Sequence, residues 1–417
     1  MKFSKLSQLF LVSSIGLIAA TFLTACQIVT IDYVFVAASA GNTAGSAGQI
    51  YTYAADGHSG ALRSGAPTVS SGGTAPVAMA VTSDYANLYV ANQGNMTVVH
   101  FTIAGNGVLT QKDSVTLSTT PVSLAVNSAG TFLYVVSGTS SAMLTEYALS
   151  SGVIGSATAT ESLTLDCTSP ISDFPSDTIV PTGVVVLANS DAVYVSAYDK
   201  SAYNPGVLTT SSANPGWLFG FTVSSTGALA APSANCSKAV LYDVYEAGVK
   251  PSALATDPVD RFVYVTDFAS NELIGYTVQS NDSLDFMVNG PFKTGNEPTA
   301  ITIDPRGIYI YLTNSLDSTV SAYSISLPTG TPSGVVGATS SGGNTTDTEP
   351  VAIVVDPSLG RYVYTANYLG NSVSGFELNP NTGAVAATQA TPYPTGANPT
   401  ALVAVPHGNH ATQSVTP

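Results

Sequence analysis

One phrase, repeated seven times, limits the fold of this chain more than any other feature. It reads Pro76-Val-Ala-Met-Ala-Val, Pro121-Val-Ser-Leu-Ala-Val, Pro181-Thr-Gly-Val-Val-Val, Pro251-Ser-Ala-Leu-Ala-Thr, Pro298-Thr-Ala-Ile-Thr-Ile, Pro350-Val-Ala-Ile-Val-Val and Pro399-Thr-Ala-Leu-Val-Ala. The spacings are 45, 60, 70, 47, 52 and 49 residues. In the first six copies a tyrosine follows 13 or 14 residues after the proline (Tyr89, Tyr134, Tyr194, Tyr264, Tyr311, Tyr364). A second aromatic closes a third segment (Phe101, Tyr147, Phe221, Tyr276, Tyr323, Phe376). Such a period marks a unit that cannot bury its apolar face alone and stacks on copies of itself.

Within a unit the first segment is a run of small and β-branched residues, suited to a strand buried on both faces. A tight turn follows, such as Asp257-Pro258-Val259-Asp260. An alternating second strand comes next (Phe262 to Thr266), then a third (Leu273 to Val278) and a weaker fourth. Four strands in units of this length select a propeller. Before Pro76 stand a second-strand pattern, Tyr33 to Val36, and a third, Ile50 to Tyr53, with no proline phrase ahead of them. The last phrase, from Pro399, has no second or third strand after it. The two ends therefore complete one blade. The expected fold is all-β: a seven-bladed β-propeller of four-stranded antiparallel blades over residues 32–406, closed by pairing of its N- and C-terminal segments, which leaves no long free edge.

Tyr264-Val-Thr-Asp, Tyr311-Leu-Thr-Asn, Tyr89-Val-Ala-Asn and Tyr364-Thr-Ala-Asn resemble the Tyr-Val-Thr-Asn repeats of bacterial propellers. The unit from Pro298 to Tyr323 is similar to that of the lactonase-type seven-bladed propellers, which include 6-phosphogluconolactonases and muconate-lactonising cycloisomerases. The resemblance implies either activity at one mouth of the central channel. Catalytic members carry a Gly-Pro-Arg-His signature at an inner-strand start; after the seven prolines here stand Val, Thr or Ser, then Ala, Ser or Gly. Lactone hydrolysis needs a base for water and a donor or cation for the oxyanion. Charges do stand one residue before three successive prolines: Lys250, Glu297 and Glu349. They supply the candidate catalytic set, Glu297 or Glu349 as base and Lys250 as electrostatic partner; the competing reading is three solvated loop residues. Of four histidines, His407 and His410 lie beyond the repeats, His100 is mid-strand and His58 stands apart.

Insertions concentrate between the second and third strands of blade four and in the exits of blades three, four and six. Strand alternation puts all of them on one face. There Tyr198, Asp199, Lys200, Tyr203, Trp217, Tyr242 and Asp243 form a candidate ligand-binding cluster for a protein or glycan, since long loops on a rigid scaffold carry binding. Cys167 and Cys236 fall in adjacent exits and form the candidate disulfide of an oxidising compartment. No metal motif and no cofactor are expected.

The first residues read as an export leader. Lys2 and Lys5 precede a 15-residue mostly apolar run, Leu9 to Leu23, too short to span a bilayer. Leu23-Thr24-Ala25-Cys26 resembles the bacterial lipobox, which implies acylation of Cys26. The expected organisation is a lipoprotein signal peptide over 1–25, an acylated linker over 26–31, the propeller, and a disordered tail over 407–417. The partner implied is a membrane held through lipid, in the cell envelope and by analogy the outer membrane. Loss of the leader moves the net charge from −15 to −17, so lipid rather than a polybasic patch does the anchoring. With 11 Lys and Arg against 26 Asp and Glu, nucleic acid is excluded as a partner. The sequence favours a monomeric envelope binding or assembly module acting through the loops of blades three and four and leans away from an enzyme. A lactonase or cycloisomerase at the channel mouth is the alternative.

Overall fold

The small and β-branched residues of the proline phrases form seven inner strands in the computed structural model. They are Pro76–Val81, Pro121–Val126, Ile179–Val186, Pro251–Thr256, Pro298–Ile303, Pro350–Val355 and Ala397–Pro406. Each packs beside the next around a central channel. The structure describes residues 29–41, 45–163, 178–189, 191–201, 203, 215–223, 229–230, 244–334 and 344–408. Outside each inner strand lie a second strand (Phe262–Asp267 in blade 5) and a third (Glu272–Val278), antiparallel throughout. The outer fourth strand is continuous in blades 2 and 3 (Leu109–Thr116, Val153–Ser162). In the other five blades it is broken into two short pieces, as in Leu284–Phe286 and Phe292–Lys293. Among the described residues no helix is long and apolar enough to cross a membrane.

Burial occurs between blades rather than inside one sheet. Tyr309, Tyr311 and Val320 of blade 6, for example, pack on Ile353, Val363 and Phe376 of blade 7. The propeller therefore has seven wedge-shaped cores, each shared by two neighbours.

The repeated tyrosine explains itself at these seams. Its ring is buried, and in five of the six copies its hydroxyl donates to the fourth-strand hairpin of the following blade. Tyr89 reaches the Gly152 carbonyl (2.6 Å), Tyr264 that of Gly330 (2.5 Å), Tyr311 that of Gly383 (2.8 Å) and Tyr364 that of Gly60 (2.8 Å). Tyr194 bonds the Asp282 carbonyl in the same way. Those four glycines have φ from 64° to 84°, and aromatic rings close over three of them, with Phe262 over Gly330. A Cβ on Gly60 would lie 2.2 Å from the Tyr362 ring, and one on Gly383 2.4 Å from that of Tyr309. A side chain is thus excluded both by backbone conformation and by space.

Blade 1 closes the ring. Its second strand, Thr30–Ser39, pairs with Ala397–Pro406 in the register Asp32↔Pro406, Val34↔Ala404, Val36↔Leu402. The strand begins at Thr30, inside the stretch expected to be linker. At the other end His407 N–H bonds the Ile31 carbonyl (2.8 Å) and Gly408 N–H that of Gly105 (2.9 Å), so the fold runs two residues into the expected tail. A fully buried carboxyl sits on this seam. Asp32 Oδ1 accepts from Ser358 Oγ at 2.6 Å. Burial, then the neighbouring Asp356 carboxylate, holds its pKa well above the ordinary carboxylate range.

Candidate functional site

All seven inner strands start with the same irregularity. The register slips between the proline and the residue two after it, which leaves a bulged residue between them, and blade 1 slips at the corresponding place. A bulge re-aims a side chain at a sheet's rim. Of the four bulged residues that bear a hydroxyl, Thr182 bonds Ser196 within its own blade, and the other three tie blades together at the channel wall. Ser252 Oγ donates to the Pro298 carbonyl (2.6 Å), Thr299 Oγ1 to that of Pro350 (2.8 Å) and Thr400 Oγ1 to that of Pro76 (2.7 Å). Small residues beside the bulge are required by this closeness: a Cβ on Gly183 would stand 2.5 Å from Leu254 Cδ2 of the next blade.

In four of the seven blades the residue before the proline is left-handed. Ala75, Glu297, Glu349 and Asn398 adopt φ of 49°, 53°, 57° and 50°, a left-handed conformation that costs ~1–3 kcal/mol and that a following proline further disfavours. The surroundings hold it in place. Asn271 Oδ1 accepts from Glu297 N–H (2.8 Å) and Asn371 Oδ1 from Asn398 N–H (2.8 Å). The carbonyls of Glu297 and Glu349 accept from Ser315 and Tyr368 N–H (2.9 and 2.7 Å). With both peptide groups pinned, the two half-buried carboxylate side chains project from a fixed backbone.

Lys250 precedes Pro251 in the neighbouring blade, and it is the best-defined charge at this mouth. Its ammonium stands 4.5 Å from the ring centroid of Phe268, 5.3 Å from that of Tyr203 and 5.7 Å from that of Tyr198. The two tyrosines meet edge to face at 5.6 Å. Cation–π attraction to three rings holds the head group in one place. The Lys250 backbone is equally fixed: its N–H donates to buried Asp267 Oδ1 (3.0 Å), and its carbonyl accepts from Phe268 N–H (2.9 Å). Burial, then Asp267 and Glu297, raises the pKa of Tyr203, which places Glu297 in the electrostatic neighbourhood of the cage. Sequence reading had put Tyr198 and Tyr203 in a separate ligand cluster; the structure joins them to the rim through Lys250. Phe268 was missed, although its place directly after Asp267 at the end of a second strand marks it as a rim residue.

Other candidates fall elsewhere. Tyr198 and Asp199 end the second strand Ala192–Asp199 rather than lying in a loop, because the backbone ladder continues through Tyr198↔Val180 and Ile179↔Asp199. Buried Asp199 spends its carboxylate on Thr178 N–H (3.1 Å) and Ser201 (2.6 Å), a structural clamp. Its counterparts Asn92, Asp267, Asn314 and Asn367 likewise hold local polar groups. Lys200 is exposed, and Trp217 belongs to the third strand Gly216–Val223, packed against the core of blades 3 and 4. His100 is enclosed, with Nδ1 2.8 Å from Asp113 Oδ2, Nε2 2.9 Å from Asn87 Oδ1 and Tyr89 stacked at 5.1 Å. Cys26, Cys167, Cys236, Tyr242 and Asp243 lie outside the described residues.

The family model described as lactonase, 7-bladed beta-propeller matches residues 50–160 and 239–412. No curated protein sequence matches the chain. Among solved structures, the periplasmic gluconolactonase of Pseudomonas aeruginosa superposes with a TM-score of 0.69 at 16% identity, over 90% of this chain and 99% of that one. A "putative 6-phosphogluconolactonase" of Bacteroides uniformis gives 0.69 at 15% identity, over 90% and 100%. At these identities the superpositions show the fold alone. The match of the family model to both halves of the ring overturns the expectation of a binding or assembly module working through the loops of blades three and four. It favours the alternative, lactone chemistry at the channel mouth.

Proposed function

Because the chain belongs to the lactonase family of seven-bladed β-propellers, we propose that it is a lactone hydrolase acting at the channel mouth over blades 5 to 7. The family match carries the reading, and the pre-proline residues supply the chemistry. Glu297 or Glu349 takes a proton from water as that water attacks the lactone carbonyl. The carbonyl oxygen becomes an oxyanion facing the Lys250 ammonium, whose position is fixed before substrate arrives and costs no reorganisation during reaction. Collapse of the tetrahedral intermediate breaks the C–O ring bond, and the leaving alkoxide takes back a proton. The Arg/His signature of catalytic relatives is absent here, so the carboxylates and lysine replace it rather than supplement it. In purified mature protein, Glu297→Gln or Glu349→Gln is expected to lower kcat by about 10²–10⁴ on a responsive sugar lactone. No turnover of any lactone in a broad panel, or turnover indifferent to both substitutions, would refute the reading.

We further propose that Cys26 is acylated after removal of residues 1–25, which fixes the enzyme to the outer membrane as a monomer, and that Cys167 pairs with Cys236. The lipobox and the apolar run before it support the anchor. Mass spectrometry of unreduced protein from the envelope tests both: an unmodified N-terminus or two free thiols refutes the corresponding statement.

A further inference from the structure

The propeller has two unlike faces. The mouth carries the second-to-third-strand turns, and the insertion between Ala192–Asp199 and Gly216–Val223 leaves from it. The opposite face, the underside, holds the first-to-second-strand turns. In blades 2 to 7 each of these is closed by a backbone bond between ends five or six residues apart, as from Thr82 N–H to the Asn87 carbonyl (3.0 Å) and from Asp304 N–H to that of Tyr309 (2.9 Å). No turn outgrows its neighbours, so the underside is level.

The chain enters the fold from this underside. The Val29 carbonyl accepts from Gly57 N–H (2.8 Å) in the third-to-fourth-strand turn of blade 1. Val29 leads into Thr30–Ser39, which has Ala397–Pro406 on its inner side and Ala47–Asp56 and Leu62–Ser64 on its outer side. The entry point therefore lies within the face and not on the outer wall. Cys26 stands three residues before Val29, a stretch that reaches at most about 11 Å whatever its conformation. The mouth is out of range of such a tether, because the six residues of the second strand Tyr362–Asn367 alone set the two faces about 20 Å apart.

Neither charge nor apolar contact chooses between the faces. All four arginines lie toward the underside, yet Arg261, Arg306 and Arg361 are paired with Asp257, Asp304 and Glu377, and Arg63 Nη2 donates to Thr30 Oγ1 (3.4 Å). Exposed apolar tips occur on both sides, Val259 and Leu359 below, Leu316 and Leu369 above. The tether makes the choice.

We propose that the underside lies against the membrane and that the mouth, with Lys250, Glu297 and Glu349, opens away from it into the aqueous compartment. This rests on acylation of Cys26 and is independent of the lactonase reading. The test places mature acylated protein in phosphatidylcholine vesicles that contain a headgroup spin label and reads tryptophan quenching. Leu359→Trp and Leu369→Trp probe exposed positions of blade 7, one on each face. Each variant has one tryptophan besides Trp217, whose own signal is read from the wild type. Excess quenching is expected to be several-fold greater for Leu359→Trp than for Leu369→Trp, and indifferent to sodium chloride, since charge plays no part in it. A Gly/Ser stretch of about 20 residues between Gln27 and Ile28, spanning about 25 Å on average, is expected to remove most of the difference. Equal quenching of the two variants, or more at position 369, in protein that floats with the vesicles overturns the orientation and leaves the anchor standing. Protein that does not float refutes the acyl anchor and the orientation with it. A difference that survives the long linker refutes the tether as its cause.

Discussion

Replacing Tyr364 by phenylalanine removes one oxygen from the seam where blade 7 meets blade 1. The hydroxyl is buried, lies 2.8 Å from the Gly60 carbonyl, and joins residues 304 apart in sequence. The ring stays, so there is no cavity and no lost apolar area. The slot accepts a plain ring, since Phe35 occupies the equivalent second-strand position in blade 1 and is fully buried. What remains is the loss of one net hydrogen bond, about 1 kcal/mol, plus the desolvation of a carbonyl left facing apolar surroundings, together about 1–3 kcal/mol. Equilibrium unfolding in urea, followed by far-ultraviolet circular dichroism and by the single tryptophan Trp217, should show a lower midpoint with an unchanged slope. Tyr264→Phe and Tyr311→Phe should behave alike, because their hydroxyls serve the same purpose at 2.5 and 2.8 Å. Three unshifted midpoints would refute the view that the repeated tyrosine acts as an inter-blade latch. So would a loss well beyond 3 kcal/mol with a changed slope, which would mean that the ring itself had moved.

Further outcomes follow from single contacts. Asp32→Asn removes a buried acid whose folded pKa is raised. Such a group favours the folded state below the unfolded value near 4 and loses that contribution as pH rises toward the folded one. Wild-type stability should therefore fall with rising pH above about 4, at up to about 1.4 kcal/mol per pH unit, and the variant should be less steep and more stable at pH 7; identical pH profiles would contradict this. Gly183→Ala should cost about 1–3 kcal/mol by overpacking, since its Cβ would meet Leu254 at 2.5 Å, as read by thermal unfolding. Thr299→Val should cost about 1–2 kcal/mol by stranding the Pro350 carbonyl, without abolishing folding.

The ring was legible in the sequence because its determinants repeat. Seven proline phrases, six tyrosines and two complementary ends gave blade number and closure without reference to any contact. Pro76 and its counterparts, the alternating second strands and the Asp/Pro/Gly turns are local signals, and local signals survive in a linear reading. The tyrosine latch was not legible, because its acceptor lies in the next blade and in most seams is a glycine carbonyl with no side chain to notice. The Lys250 cage was hidden for the same reason. Tyr198 and Tyr203 belong to blade 4 and Lys250 to blade 5, and their positions, in a loop insertion and before a proline, put them in separate clusters. The missing Arg/His pair makes the sequence lean away from lactone chemistry, whereas the scaffold that positions Lys250, Glu297 and Glu349 consists of backbone bonds and, at the two glutamates, left-handed residues that have no one-letter signature. Phe268 stood directly after Asp267 throughout, and only its stacking on the lysine gave it a purpose.

Closure by Ala397–Pro406 also sets the order in which the molecule can become whole during synthesis. The strand made first, Thr30–Ser39, must keep one edge unsatisfied while some 360 residues between them are produced, and no intermediate length offers a partial ring with matched ends. A chain released before residue 397 is thus a fan of blades with two open sides, and assembly ends in a single step when the final strand docks.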